Sequence, residues 1–262
     1  MAEVLHIDTT KGPFFRGIGD SILLSWIAEG AKGSDLELSL HANGVKRDVL
    51  EMLGTRMHPE PIGVSLSDVP IFDSLDGGAK PRHERIMQIL GLKTVAKRPE
   101  VRLPCWAKHH GGQFWDDADG ARRVLLCPEV SDLSREWPHW DRLAEMLTAQ
   151  DDCVKMLRAD RHLHYGLAAG VIAAADVVVA LDSSHAHMAA TLGKKTVVLL
   201  GPTMPNVFAH AENVRCLSVT ADVQHCVGCC FNYYRFTRSC RVMGCAAMML
   251  LPVSDVLKAI DA

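Results

Sequence analysis

The sequence predicts an α/β protein made of two β/α lobes, each built on a parallel sheet. Three observations carry this expectation. Short apolar runs alternate with segments of helical period, the pattern of parallel strands joined by crossover helices. The alternation stops between Pro104 and Gly120 and resumes at Val124. The second series then contains strand, polar turn, helix, strand and polar turn in direct succession, from Asp176 to Thr203.

In the first series, Val4–Ile7 reads as a strand and Ser21–Glu29 as a helix with Ile22, Leu23, Trp26 and Ile27 on one face. Leu36–Leu40 reads as a strand, Val45–Leu53 as a helix closed by Gly54, Ile62–Val64 as a strand, and His83–Leu90 as a helix stopped by Gly91. Lys108-His109-His110-Gly111-Gly112 and the stretch Trp115 to Gly120 are turn-rich, so this region reads as the connection between lobes. The expected division is therefore 1–115 and 116–262. In the second series the strands are Val124–Cys127, Val154–Leu157, Val177–Leu181, Val197–Leu200 and Val214–Val219. The helices are Trp137–Leu147, Leu167–Ala174, His185–Leu192 and Pro252–Ile260. Trp137 reads as a core anchor.

The 262 residues, 48% of them hydrophobic and 23% charged, fit an ordinary globular protein. A formal net charge of −3 gives no overall attraction to a polyanion, although Arg122 with Arg123, or Arg235, Arg238 and Arg241, would make a local basic patch. The longest apolar stretch, around Leu167–Leu181, is broken by Asp176, so no transmembrane segment is expected. The start carries neither a basic region nor a cleavage site, and a cytoplasmic, reducing setting is expected. Cysteines in that setting point to metal ligation or plain thiols before disulfides.

Four pieces carry chemistry. Asp182-Ser183-Ser184-His185-Ala186-His187-Met188-Ala189 follows one strand, and Gly201-Pro202-Thr203 follows the next. Ligands bind at the carboxyl ends of strands in open α/β sheets, and helix N-termini there present unpaired N–H groups to anions. Two polar turns on that edge suit a phosphate-bearing ligand. The second piece is Arg16-Gly17-Ile18-Gly19-Asp20, in which Asp20 has two roles open to it: a carboxylate that takes a proton, or the cap of the following helix. The third is Ser134-Arg135-Glu136-Trp137-Pro138, whose Arg135 is either a phosphate contact or a solvated charge. The fourth is Cys226-x-x-Cys229-Cys230 with Cys240 and Cys245, a Cys-rich segment at 226–245. Cys226, Cys229, Cys240 and Cys245 would supply four thiolates to a structural zinc or iron; the alternative is a set of reduced thiols.

Together these motifs resemble the heptosyltransferase family, glycosyltransferase family 9. Its signature, roughly D-S-G-x-x-H-x-A followed by G-P-T, is kept here at Asp182, Ser183, His187, Ala189 and Gly201 to Thr203, with Ser184 in place of Gly. Arg135 stands where the family has Lys before Trp-Pro. The resemblance implies a GT-B-like architecture of two Rossmann-like lobes facing across a cleft, with the acceptor on the first lobe and the nucleotide-sugar on the second. It implies an inverting glycosyltransferase of lipopolysaccharide biosynthesis that moves a heptose-like sugar from a nucleoside-diphosphate donor such as ADP-heptose. Asp20 is then the general base, Arg135 the cation facing the leaving diphosphate, and Asp182, Ser183, Ser184, His187, Gly201 and Thr203 the donor contacts. A similar cysteine cluster occurs in family members, and a protein-modifying branch binds iron there. The expected acceptor is a glycolipid or glycan, reached with peripheral membrane contact, ahead of a protein or modified DNA. The alternative is a non-catalytic sugar-nucleotide-binding or metal-stapled interaction protein.

Overall fold

The computed structural model describes residues 3–10, 17–60, 64–65, 81–129, 135–158, 164–203, 205–219 and 244–262. Among them two parallel sheets form. The first has the order β2-β1-β3, from β1 (Glu3–Asp8), β2 (Leu36–His41) and β3 (Val64–Ser65). Its helices are α1 (Ile18–Ala31), α2 (Val45–Met52) and α3 (Arg82–Ile89). The second sheet has the order β5-β4-β6-β7-β8. Its strands are β4 (Arg123–Cys127), β5 (Cys153–Met156), β6 (Val177–Leu181), β7 (Lys195–Leu199) and β8 (Val214–Leu217). Around it lie α4 (Cys105–Phe114), α5 (Trp140–Thr148), α6 (Tyr165–Ala174), α7 (Ser184–Thr191), α8 (Ala246–Met249) and α9 (Val253–Asp261).

Alternation along β4 shows how the second sheet is sandwiched. Val124 and Leu126 face a cluster with Trp137, Leu143 and Leu147 and with Val256 and Ile260 of α9. Leu125 and Cys127 face the other way, into a cluster with α6 and α7. Side chains on a strand point alternately to the two faces, so one five-residue segment serves both cores. Trp137 is wholly buried and donates its indole N–H to Leu251 O at 3.0 Å, which makes it the anchor the sequence suggests.

The lobes touch directly. Ile22 and Trp26 of α1 and Val49 of α2 belong to the same buried cluster as Val178, Ala186 and Ala189 of the second lobe. The Trp26 indole donates to Thr191 Oγ1 of α7 at 2.8 Å. The first lobe keeps a core of its own, built on Ile7, Leu23, Ile27, Leu40 and Ile86.

The region read as a turn-rich connection folds differently. Residues 105–114 form α4, which packs across α6. A Cβ on Gly111 would lie 2.2 Å from Gly170 O, and one on Gly170 would lie 2.0 Å from Ala107 O. The glycines that look like turn formers let two helix backbones meet. Arg122 and Arg123, which the net charge left open as a local basic patch, are each paired with carboxylates: Arg122 with Asp152 and Asp261, and Arg123 with Asp176. Arg235, Arg238 and Arg241 lie outside the described residues.

Candidate functional site

The second sheet changes direction between β4 and β6, because β5 lies on one side of β4 and β7 and β8 lie beyond β6. The crevice past the carboxyl ends at such a reversal is where doubly wound sheets bind ligands. Cys127 and Ala180 are paired at that end of the two strands, and Arg135 and Asp182 follow them. Arg135 Nη1 donates to Asp182 O at 3.0 Å and to Asp182 Oδ2 at 3.3 Å. Thr203, after β7, donates its hydroxyl to the same Oδ2 at 2.8 Å. Asp182 is thus fixed by two groups that the sequence separates by many residues.

Ser183 is the N-cap residue of α7, with extended backbone at φ −146°. Its buried hydroxyl makes no cap bond and has no partner among the described residues. An N-cap hydroxyl ordinarily accepts from the first turn, so this one is left for another group. Ser184 is held through its carbonyl, which accepts from the Tyr165 hydroxyl at 2.8 Å. Gly201 is closely packed: a Cβ there would lie 2.5 Å from Met248 Cγ and 3.2 Å from Cys245 Sγ, so a larger residue requires the Met248 side chain to shift.

His187 faces both lobes. Its Nε2 is 3.9 Å from Asp182 Oδ1, and its ring lies where a Cβ on Gly19 would come within 2.8 Å of Cδ2. Burial pushes its imidazole below the ordinary value, while Asp182 and then Asp20 oppose the shift and Arg82 and Arg135 add to it. Carboxylates from the two lobes therefore act on one ring.

Asp20 stands at the third position of α1, which begins at Ile18 rather than Ser21. Its Oδ2 accepts from Gly17 N–H at 3.4 Å, so it caps the helix from inside the first turn. Its Oδ1 is 2.7 Å from Arg82 Nη2 of α3, with the two side chains 16% and 14% exposed. Lys46 of α2 also feels Asp20, although burial is the larger influence on that amine and lowers it.

The fold thus brings together Asp182, Thr203 and Arg135, with His187 beside them, and sets Asp20 on the facing helix of the other lobe. Of the four cysteines proposed as metal ligands, Cys226, Cys229 and Cys240 lie outside the described residues. Cys245 is buried at the start of α8. Among the described residues no three His, Cys, Asp or Glu side chains are grouped to hold a metal. No helix among them is long and apolar enough to cross a membrane.

Two residues here escaped the sequence reading. Arg82, the partner of Asp20, has no local signal, because the pairing exists only once α3 packs on α1. His185 lies in the first turn of α7, 8% exposed, with Nδ1 unpartnered among the described residues. Burial lowers it to about 4, and its ring lies parallel to Tyr165 at 6.0 Å.

Residues 162–233 match the model of glycosyltransferase family 9 (heptosyltransferase). No curated protein matches the chain. Among solved structures, the iron-containing dodecameric glycosyltransferase TibC from enterotoxigenic E. coli H10407 is 13% identical, with 99% of this chain and 75% of TibC covered and a TM-score of 0.69. TibC in complex with ADP-D-beta-D-heptose matches at 12% identity, 99% and 76% coverage and 0.67. E. coli ADP-heptose lps heptosyltransferase II is 13% identical over 99% of this chain and 97% of its own, with a TM-score of 0.59. The glycosyl transferase family 9 protein of Veillonella parvula DSM 2008 is 12% identical over 99% and 96%, with a TM-score of 0.69. At these identities the structures speak for the fold, and the sequence match covers the segment that holds Asp182 through Thr203. Residues 162–233 are thus similar in sequence to glycosyltransferase family 9 (heptosyltransferase), and the chain as a whole shares the α/β fold of these structures.

Proposed function

We propose that the protein is an inverting glycosyltransferase that uses a nucleoside-diphosphate sugar, of the ADP-heptose kind, and delivers the sugar to an acceptor hydroxyl. The observation that carries this reading is the Asp182 constellation at the sheet reversal, facing Asp20 across His187. Residues 116–262 form the donor side in this scheme, and 1–115 the acceptor side. The α7 N-terminus and the Ser183 hydroxyl receive phosphate oxygens. Asp182 receives sugar hydroxyls, with Ser184, His187, Gly201 and Thr203 shaping the same wall. Arg135 uses one nitrogen on Asp182, and its planar fork offers further N–H donors to the diphosphate.

The reaction then balances simply. The acceptor O–H gives its proton to the Asp20 carboxylate while its oxygen attacks the anomeric carbon. The bond from that carbon to the diphosphate oxygen breaks, and the negative charge that leaves is met by Arg135 and the helix dipole. The family resemblance favours a glycolipid or glycan acceptor. The paired state of Arg122 and Arg123 argues against a DNA surface on that part of the lobe. A structural metal at Cys226, Cys229, Cys240 and Cys245 is part of the proposal and takes no step in the reaction. The ion pair of Asp20 with Arg82 favours one competing reading, in which Asp20 only secures α1.

Titration calorimetry with ADP, UDP, GDP and CDP, followed by turnover of the matching sugar conjugate, tests both parts. Asp20→Ala is expected to lower turnover by about 100- to 10,000-fold, the usual contribution of a positioned base, and to leave nucleotide affinity nearly unchanged. Equal loss of binding and turnover would make Asp20 structural. Binding of none of the four nucleotides would remove the donor assignment.

A further inference from the structure

Three histidines meet where the lobes join. His83 belongs to α3 of the first lobe, His187 to α7 of the second, and His210 follows the short 3-10 turn Pro205–Phe208 after β7. The His210 ring is 5.4 Å from that of His83 at an interplanar angle of 62°, and 6.2 Å from that of His187 at 11°. Trp26 of α1 closes the group edge-on, 4.7 Å from His210, and Phe208 stacks on His187 at 4.4 Å. The Nδ1 atoms of all three imidazoles are buried without a hydrogen-bond partner among the described residues. Rings from both lobes are therefore packed face and edge at a contact that Trp26 also ties to Thr191.

We propose that His83, His187 and His210 form a pH-sensitive latch that holds the first lobe against the second while the rings are neutral and releases it when they take up protons. A buried ring with an empty Nδ1 is accommodated as a neutral group; a cation there would lack water and face other imidazoles. The charged surroundings differ from ring to ring. His187 faces Asp182 and Asp20, which would partly offset its charge, and also Arg82 and Arg135, which would not. His83 has Glu84 nearby, but burial is the larger influence and lowers it. Among the described residues, the chargeable groups that act on His210 are His187 and His83; burial and those two rings hold it at about 3, against a weaker opposing hydrogen bond at the Val207 backbone. Among the described residues His210 is thus the ring with no carboxylate acting to offset a charge in the closed state.

The sign follows from linkage. A histidine neutral in the closed state and free to protonate in the open one costs the latch nothing above the ordinary value of 6.5. Below that value the open state binds the extra proton, and closure weakens as pH falls. With an ordinary value restored on opening, His210 alone favours the open state roughly 30-fold more at pH 5 than at pH 8. The latch is independent of whether the chain transfers a sugar.

Amide hydrogen exchange of the full chain, divided by intrinsic rates, tests the latch without any activity measurement. From pH 8 to pH 5 the amides of α1 and α7 are expected to open about 30-fold more often or beyond. The β6 amides, deep in the second sheet, stay protected. In His210→Phe, which keeps a ring and removes the proton site, the rise shrinks by about that factor; His210→Gln serves if the larger ring disturbs the fold. Adding His83→Phe flattens the response further. The latch is overturned if α1 and α7 exchange alike at both pH values, if the variants keep the full rise, or if β6 opens in step with them, which would mean acid unfolding of the whole chain.

Discussion

Two helix crossings in this molecule use the same steric device and do different jobs. At the α4–α6 crossing, Gly111 and Gly170 let backbone meet backbone, and a Cβ on either would strike a carbonyl. At the α1–α7 crossing, Gly19 lets backbone meet the His187 ring, with Asp20 and Asp182 acting on that ring and Arg82 and Arg135 opposing them. The first crossing packs inert backbone atoms of two helices beside the second sheet. The second joins the lobes through a group that can change charge. Close packing fixes geometry in both cases, but only the second makes that geometry depend on solution conditions.

The largest effect should come from the inert crossing. Gly170→Ala places a methyl 2.0 Å from Ala107 O, and neither backbone can turn aside. The roughly 1 kcal/mol gained from helix propensity is outweighed by overpacking, which against rigid backbone reaches about 3 kcal/mol or more, for a net loss of about 2 kcal/mol or more in urea unfolding, equal at pH 5.5 and pH 8. Thr191→Val comes next. It removes the acceptor of the buried Trp26 N–H, and an orphaned donor of this kind costs about 1–3 kcal/mol. Exchange of α1 and α7 amides should rise already at pH 8. The smallest loss is expected for Gly19→Ala, about 1 kcal/mol, because the atom 2.8 Å away belongs to a side chain that can shift. Its unfolding energy should fall more steeply with acid than that of Gly170→Ala; equal slopes would erase the distinction between the crossings.

The parts of the fold that were legible in the sequence are those governed by local period. β6, α7 and β7 show as apolar runs divided by polar turns, and α1 shows as a stripe of Ile22, Leu23, Trp26 and Ile27. α4 was hidden because Gly111 and Gly112 carry the composition of a turn. Their reason for being glycine, at least at 111, lies in a helix some sixty positions on, at Gly170. The same logic divides the candidate site. Asp182 with Ser183 and Thr203 stood out as flanking turns of adjacent strands. The tie from Arg82 to Asp20 and the meeting of His83, His187 and His210 depend on tertiary packing of distant segments, which no local pattern encodes.

The packing at Gly201 carries a consequence for how this sequence can drift. The turn after β7 is pressed against Met248 and Cys245 at the opening of α8, so the identity of residue 201 is set by residues more than forty positions downstream. An alanine at 201 requires the Met248 side chain to shift or shorten, and a bulkier residue at 245 narrows that route. Substitutions at these positions are expected to be coupled, and the turn that bears Thr203 takes part of its constraint from α8.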